Sequence, residues 1–277
     1  MSSAVSTLRP GDEVDAVFAC TRKDRLMTKT GSPYLALELR DRSGSVAARA
    51  FRNADLLAGR FERGDLVRAS GKVERFRDEL VLEVSDVARV EGADPTSFLP
   101  TAHRDLDELD GFFEHLAREV YDHRYRALLD SLLADASLRA ELRRAPATRA
   151  GHHAYVGGLL DHTVAVATLG HELCQLKPRL NSDLLLTSAL LHDIGRTREF
   201  TYGADFGLTP EGQLLGHVVI GVQMVSLRAE AAGLDDERRL ALLHCVLCHH
   251  GPSLAPGGKF GSQEAAALYR LNALDTA

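Results

Sequence analysis

The sequence predicts two domains, a small barrel of β-strands followed by an all-helical domain. Residues 12–90 contain short apolar runs near period two, separated by turn signals, whereas the chain after about residue 105 contains long runs with helical spacing. A stretch with two prolines and no clear period separates them and marks a linker. The chain, with 277 residues of which 45% are hydrophobic, is long enough for two cores. We predict domains over 1–95 and 109–277, joined by a linker over 96–108.

Five strands are expected in the first domain, with a helical turn around 54–61. Such a set fits an oligonucleotide-binding barrel, which takes single-stranded nucleic acid by aromatic stacking and basic side chains. The aromatic residues would fill the barrel interior equally well, so both interpretations stay open. The predicted strands are 14–20, 34–39, 45–51, 66–76 and 79–87, and the candidate nucleic-acid contacts are Arg22, Lys23, Arg25, Lys29, Tyr34, Phe51 and Phe76.

Helices are expected throughout the second domain, and several of their ends carry capping signals. Asn181 or Ser182 can cap one helix at its start, and Gly195 can close it. Thr209 followed by Pro210 is typical of another helix start. The predicted helices are 106–121, 123–133, 137–144, 156–176, 183–194, 212–232, 235–250 and 263–274.

All twelve histidines lie at or beyond His103, and nine of them fall between His152 and His250. A single buried histidine is usually a hydrogen-bonded core residue, so the joint spacing of several carries the functional argument. Separate helices can bring these residues to one point, because each lies roughly one helix and a loop from the next. The candidate metal ligands are His162, His192, Asp193, His217, His249 and His250.

Imidazole and carboxylate ligands together suit a divalent transition metal. Six such groups exceed what one catalytic ion with open water positions needs, so two ions bridged by Asp193 fit better. A pair about 3.5–4 Å apart lowers the pKa of a bound water and braces both oxygens of a phosphoryl displacement. The pattern therefore predicts phosphoester hydrolysis.

Four segments resemble the HD-domain metal-dependent phosphohydrolases: GLLDHT, LLHDIGR, LLGHVVIGV and LCHHG, around His162, His192, His217 and His249. HHAYVGGLLDHT, TPEGQLLGH, CHHG and the terminal EAAALYRLNALD more narrowly resemble the YhaM family of 3′-to-5′ exoribonucleases. The opening GDEVDAVFACTRKDRLMTKTGSPYLALELRDRSG fits the nucleic-acid-binding barrel of that family. The resemblance implies an N-terminal OB-fold barrel and a C-terminal HD-domain helical bundle.

The same resemblance implies that His162, His192, Asp193 and His217 are metal ligands, with Asp193 bridging and with His249 and His250 completing a second site. Arg196 stands where the family often has lysine. It could hold a substrate phosphate, although a helix-end cation is an equally good interpretation.

His152 and His153 precede the first ligand within the resembling segment, and we expect them to contact a substrate phosphate or base rather than a metal. The resemblance favours two Mn ions per chain, while Fe, Zn, Co and Mg are compatible with the ligand types.

One position departs from the family pattern. The family usually completes its metal set with an aspartate in a terminal Asp-Asn-Leu-Asp segment, whereas this chain reads Asn272-Ala273-Leu274-Asp275. An amide oxygen can bind a metal but brings no negative charge, so the first metal should be held less tightly unless Asp275 substitutes.

Cys245-Val-Leu-Cys248-His249 also matches a haem-attachment pattern and half of a zinc site. Covalent haem attachment of this kind requires export, and a four-thiolate zinc site requires a second pair of cysteines. The surrounding apolar residues favour packing as the role of these thiols.

The leading hypothesis is a cytoplasmic 3′-to-5′ exonuclease that acts on single-stranded RNA, and also on single-stranded DNA, through metal-activated hydroxide. Net charge is −6, which argues against a strongly basic binding surface. Neither an export signal nor a membrane span is expected, and the resemblance favours a homo-oligomer. Two alternatives remain: a small-molecule nucleotide phosphohydrolase, and a nucleic-acid-binding protein with a weakened metal site.

Overall fold

The computed structural model describes residues 4–92 and 94–276. The chain forms two compact units. The first comprises the described residues up to Pro100 together with Tyr202–Gly207, and the second comprises Thr101–Thr201 and the chain from Leu208 onward. The predicted linker spans the junction at Pro100, but nothing in the sequence indicated that Tyr202–Gly207 would group with the first unit.

The first unit is a closed five-stranded barrel with the strand order β1-β2-β3-β5-β4, which confirms the predicted OB-fold. A single short helix, α1 (Ala54–Ala58), lies between the third and fourth strands and ends earlier than predicted. β1, β2 and β5 are longer than predicted, because ladder pairing continues past the alternating apolar core, whereas β4 has the predicted bounds. Their bounds are β1 Glu13–Met27, β2 Pro33–Asp41, β3 Gly44–Ala50, β4 Leu66–Phe76 and β5 Glu79–Arg89.

Alternating side chains fill the barrel, as period-two strands require. Phe18, Leu37 and Leu82 are almost fully buried. β1 shifts register between Cys20 and Arg22, and β4 does so between Ser70 and Gly71. Glycine is required at position 71, where the register shifts, because a Cβ there would lie 2.1 Å from the carbonyl oxygen of Glu83. These irregularities bend the strands enough for the sheet to close.

The second unit is predominantly helical, again as predicted. Asn181 caps α6 by accepting a hydrogen bond from the Leu184 amide at 3.0 Å, and Thr209 caps α8 in the same way through Gly212 at 2.9 Å. The helices are α2 Leu106–Arg118, α3 His123–Leu133, α4 Ala136–Arg144, α5 Gly158–Leu176, α6 Ser182–Leu191, α7 Arg196–Glu199, α8 Pro210–Ala231, α9 Asp236–Cys248 and α10 Gln263–Asp275.

Helix α6 lies at the centre of this unit. Every residue from Leu184 to Leu191 is buried, as expected for a helix that is apolar all round. The predicted helix over 183–194 was too long, because α6 ends at Leu191 and residues 192–195 form a turn. α7 and the strands β6 (Phe200–Tyr202) and β7 (Phe206–Leu208) that follow were not predicted, since such short elements carry no periodic signal.

Among the described helices, α8 alone is long and apolar enough for a membrane span by length and composition. Gly216 interrupts it with non-helical dihedrals, φ 70° and ψ 160°. A broken helix leaves backbone groups that a bilayer core cannot satisfy. Leu214 and Leu227 are nevertheless 82% and 70% exposed, so α8 presents an apolar face outside the core.

Candidate metal centre

The turn after α6 carries Asp193 between two groups of histidines. Its Oδ2 atom lies 3.7 Å from Nε2 of His162 and 3.8 Å from Nε2 of His192. Its Oδ1 atom lies 3.3 Å from Nε2 of His217 and 3.2 Å from Nε2 of His249. The two oxygens of one carboxylate thus face two separate histidine pairs, which is the arrangement of a bridging ligand.

The four histidines share one orientation, because an acceptor contacts Nδ1 of each ring. His192 bonds the Ala189 carbonyl at 2.8 Å, and His249 bonds the Val246 carbonyl at 2.6 Å. At the other two rings the acceptor is a carboxylate: Asp275 Oδ2 lies 2.6 Å from Nδ1 of His162, and Glu199 Oε1 lies 3.3 Å from Nδ1 of His217. A neutral ring that donates from Nδ1 has its lone pair on Nε2. Four Nε2 lone pairs therefore converge on Asp193.

This convergence leaves acceptors facing acceptors. Nε2 of His162 and Nε2 of His192 are 3.1 Å apart. Asp193 Oδ1 and His249 Nε2 are buried, and neither makes a hydrogen bond within the described part of the chain. Buried acceptors without a donor are costly unless a cation satisfies them. The residues present therefore fit divalent metal ions, with outer acceptors that fix the ligand rings.

The second histidine pair extends to a third ring. Asp193, His217, His249 and His250 each place one ligand atom within 4.8 Å of the others. His192 and His249 are fully buried, whereas His250 is exposed. The centre therefore has a closed side at His162 and His192 and an open side at His217 and His250, from which a substrate can approach.

Electrostatics keep the centre ready to bind cations. Burial lowers the pKa of His192 well below its ordinary value, so the ring stays neutral. Burial alone would raise the pKa of Asp193, but Arg196 and the surrounding histidines outweigh it and hold that pKa well below its usual range. A neutral imidazole and an ionised carboxylate are the forms that bind metals.

Arg196 is 9% exposed and lies against Asp193 rather than in open space. Its Nε donates to Asp193 Oδ2 at 2.7 Å, and its Nη1 donates to Glu199 Oε2 at 3.2 Å. Glu199 also accepts from the His217 amide at 3.1 Å. The sequence interpretation overlooked Glu199, because a single glutamate beyond the recognisable motif carries no signal of its own.

Two glycines bring His217 to Asp193. Gly195 does not act as a left-handed helix cap, since its φ is −62°. It instead permits close packing of α8, because a Cβ there would lie 2.0 Å from the His217 carbonyl oxygen and 2.6 Å from the Gly221 amide nitrogen. Gly216 breaks α8 just before His217, which frees the His217 amide for Glu199.

The terminal helix places its two candidate ligands differently. Asn272 is 4% exposed, and its Nδ2 donates to the His249 carbonyl oxygen at 3.2 Å. Asp275 contacts Nδ1 of His162, on the opposite edge of the ring from Asp193. Its carboxylate thus lies behind a ligand ring and groups with His153 and His162, and direct metal binding by Asp275 stays a prediction.

His153 contacts protein groups with both ring nitrogens, Tyr155 Oη at 2.8 Å and Asp275 Oδ2 at 3.0 Å. These contacts occupy the atoms that were expected to meet a substrate. His152 is exposed in the preceding turn.

The four cysteines are free thiols, and Cys245 and Cys248 are fully buried among apolar residues. Burial raises the pKa of Cys245 to about 11, as expected for a packing role.

On the barrel, the aromatic candidates lie on the surface rather than inside. Phe51 is 48% exposed and stacks on Tyr34 with ring centroids 5.3 Å apart. Phe76 is 46% exposed, with the guanidinium of Arg49 at 4.4 Å and that of Arg77 at 5.4 Å from its ring centroid. Arg49 and Arg77 were not among the predicted contacts. Exposed rings beside guanidinium groups suit base stacking.

The basic candidates of the barrel differ in availability. Lys29 is exposed, whereas the Lys23 side chain is only 13% exposed and pairs with Glu62 at 3.0 Å. Lys23 also donates to the Phe61 carbonyl oxygen, so its ammonium has a structural role. Arg22 and Arg25 pair with Asp24 and Asp55 at 3.1 Å and 2.6 Å.

Comparison with known families agrees with both units. Residues 159–276 match the HD domain, and residues 19–90 match the OB-fold nucleic acid binding domain. Residues 94–179 also match a family described as a putative helicase. The helical unit therefore contains an HD domain, and the barrel is an OB-fold.

Curated relatives cover nearly the whole chain. Proteins named 3′-5′ exoribonuclease YhaM from Oceanobacillus iheyensis and Bacillus subtilis are each 28% identical over 284 residues, covering 99% of this chain and 87% and 88% of their own lengths. The protein of the same name from Listeria monocytogenes is 26% identical over 274 residues, covering 96% of this chain and 85% of its own length.

Proposed function

We propose that this protein is a metal-dependent 3′-to-5′ exoribonuclease that releases nucleoside 5′-monophosphates. The main supporting observation is that four histidine Nε2 lone pairs converge on Asp193. Asp193 Oδ1 and the neighbouring His249 Nε2 are buried acceptors, and neither has a hydrogen-bond donor among the described residues. The OB-fold domain supports a polymeric substrate, and the names of the relatives support RNA and the direction of digestion.

Two divalent ions, with Mn proposed, would bind on either side of Asp193. His162 and His192 would hold one ion, and His217, His249 and His250 the other. Bound there, the ions would lower the pKa of water toward neutrality and offset the charge on a transferring phosphate. Asn272 lies beside the His249 backbone, and only its amide oxygen could take part.

The protein groups around this centre orient the ligands and admit the substrate. The outer acceptors fix all four rings, so no ligand has to reorganise during the reaction. His250 is exposed at the open side, and we propose that the terminal phosphodiester approaches from there. Arg196 is held by Asp193 and Glu199, and we assign it the task of balancing buried carboxylates instead of clamping phosphate.

The test is an incubation of purified protein with Mn and 5′-labelled single-stranded RNA, single-stranded DNA or mononucleotides. We expect stepwise shortening of the RNA from its 3′ end, with nucleoside 5′-monophosphates as products. Digestion of the DNA would extend the substrate range. Release of inorganic phosphate from mononucleotides without RNA shortening would favour the small-molecule phosphohydrolase and overturn the proposal.

Asn272 favours a second candidate, a nucleic-acid-binding protein with a weakened metal site. An Asn272→Asp variant separates the two. A protein that carries two ions and digests RNA before any substitution is a nuclease. A protein that binds RNA, retains no metal and gains activity only as Asn272→Asp is the binding protein.

We also infer a cytoplasmic homo-oligomer. The free thiols suit a reducing compartment. Residues 212–227 of α8 contain no Asp, Glu, Lys or Arg, so a second copy of this exposed face would meet no like charge. Light scattering of the wild type and a Leu214→Ser, Leu227→Ser variant tests the contact. A monomeric wild type would exclude it.

A further inference from the structure

Behind His162 lies a polar cluster outside the ligand set itself. The same Asp275 oxygen, Oδ2, accepts from His162 Nδ1 at 2.6 Å and from His153 Nε2 at 3.0 Å. His153 continues to Tyr155 at 2.8 Å, and Tyr155 to Asp161 at 2.8 Å. The cluster thus links the buried His162 ring to four residues that the proposed reaction does not use.

Both ring nitrogens of His153 are engaged in this cluster. The Tyr155 hydroxyl has one proton, which it donates to Asp161 Oδ2, so its oxygen must accept from His153 Nδ1. Asp275 is a carboxylate and accepts from His153 Nε2. The hydrogen bond to Asp275 raises the pKa of His153. His153 therefore holds Asp275 from one side while His162 contacts the same oxygen from the other.

The backbone of His153 is strained, which indicates that the surroundings enforce its position. Its φ is 52°, a left-handed value that non-glycine residues seldom adopt. The His153 carbonyl oxygen accepts from the Ala147 amide at 3.0 Å. Gly158, four residues before His162, lies so close that a Cβ there would be 2.0 Å from this oxygen. The start of α5 and the His153 turn are therefore packed as one piece.

We propose that Asp275, held by His153, is a positioning residue that supplies through the His162 ring the negative charge missing at Asn272. This inference rests on the metal site of the proposed function. A carboxylate behind a ligating histidine fixes the ring tautomer and makes the opposite nitrogen a stronger donor, and losing such a partner typically weakens metal binding about 10- to 100-fold. His192 and His249 have only backbone carbonyls in that place, so His162 is the closed-side ligand with an anionic support.

The test measures Mn binding by calorimetry and metal analysis, without RNA. We expect Asp275→Asn to weaken one of the two ions about 10- to 100-fold and to leave the other within about threefold. Glu172→Gln is the control, because this exposed carboxylate lies on the same helix α5 as His162 but outside the cluster. The control should change neither affinity by more than about threefold.

The charge argument has its own test in an Asn272→Asp background. With a carboxylate restored at position 272, the loss caused by Asp275→Asn should shrink to below about tenfold. An equal loss in both backgrounds would contradict the compensation. Wild-type affinity for both ions in Asp275→Asn would overturn the whole inference.

Thermal unfolding of the metal-free protein will show whether Asp275→Asn folds. If it does not, two further measurements still test the proposal. His153→Asn tolerates the left-handed backbone and leaves Asp275 in place, and it should weaken the same ion by a smaller factor. Nitrogen-15 spectra of the metal-free wild type should show His162 protonated on Nδ1, and protonation on Nε2 alone would refute the proposal. Since these readouts need no RNA, inactivity on RNA with the expected binding pattern would count against the proposed function alone.

Discussion

The helical unit and the barrel carry their functional groups in opposite ways. In the helical unit, His162, His192 and Asp193 are at most 2% exposed and converge on each other. On the barrel, Phe51 and Phe76 are nearly half exposed and lie beside guanidinium groups or another ring. Buried convergent acceptors suit a cation and bond cleavage, whereas exposed rings suit reversible contact with many bases. The difference indicates that cleavage and capture are separable by mutation.

Asp193→Asn should have the largest effect, because it removes the charge that both histidine pairs share. We expect the rate of RNA shortening to fall about 10³-fold or more, corresponding to several kcal/mol of lost stabilisation. RNA binding by the barrel should stay within about twofold. Asp236→Asn, an exposed first-turn residue of α9 paired with Arg239, is the control. A parallel loss of RNA affinity would show that the two regions are not separable.

Gly195→Ala should rank second. The added Cβ would meet the His217 carbonyl oxygen at 2.0 Å, so α8 must move away from Asp193. A shift of about 1 Å can cost about 100-fold in rate, and the melting temperature should fall as well. Gly111→Ala is the matched control, because a Cβ at this α2 position meets no atom within 4 Å. A fully active Gly195→Ala variant would refute the close-packing role.

Phe76→Ala should affect capture alone. Base stacking contributes about 1–3 kcal/mol per base, so we expect the KM for single-stranded RNA to rise about tenfold with kcat unchanged. Phe112→Ala is a matched control on the helical unit, since Phe112 is 42% exposed with Arg104 at 5.5 Å from its ring centroid. An equal effect of both substitutions would remove the distinction between the two surfaces.

Arg25→Ala should have the smallest effect. Two guanidinium nitrogens of Arg25 already donate to Asp55, at 2.6 and 3.2 Å, and exposed pairs of this kind contribute little to stability. RNA affinity should change less than about threefold, and its salt dependence should stay constant. A salt slope reduced by about one unit would instead show that Arg25 contacts a phosphate, as the sequence suggested.

Much of the helical unit was predictable because its signals are local. Apolar periodicity located eight helices to within two residues at their ends, except that the helices predicted over 106–121 and 183–194 end three residues earlier. Caps at Asn181 and Thr209 occur as expected. Gly195 was predicted to close a helix, whereas it permits the close approach of α8. A sequence does not distinguish a glycine that a turn requires from one that a close neighbour requires.

The fold of the barrel was predictable from the sequence, but the exposure of its aromatic side chains was not. Alternation located five strands, yet it could not decide whether Tyr34, Phe51 and Phe76 face inward. Only the folded barrel shows Phe51 and Phe76 nearly half exposed, with Tyr34 stacked on Phe51. Arg49 and Arg77 became relevant only through their distance to the Phe76 ring.

The sequence by itself determined the order of the two domains and predicted which side chains would serve as metal ligands. Spacing along a chain expresses those properties directly. Only the tertiary structure decided that each oxygen of Asp193 faces a different histidine pair, that Glu199 and Asp275 support ligand rings, and that Arg196 is engaged by carboxylates. Which atom of a ring faces a metal depends on contacts between residues up to 113 positions apart, and no local pattern encodes those contacts.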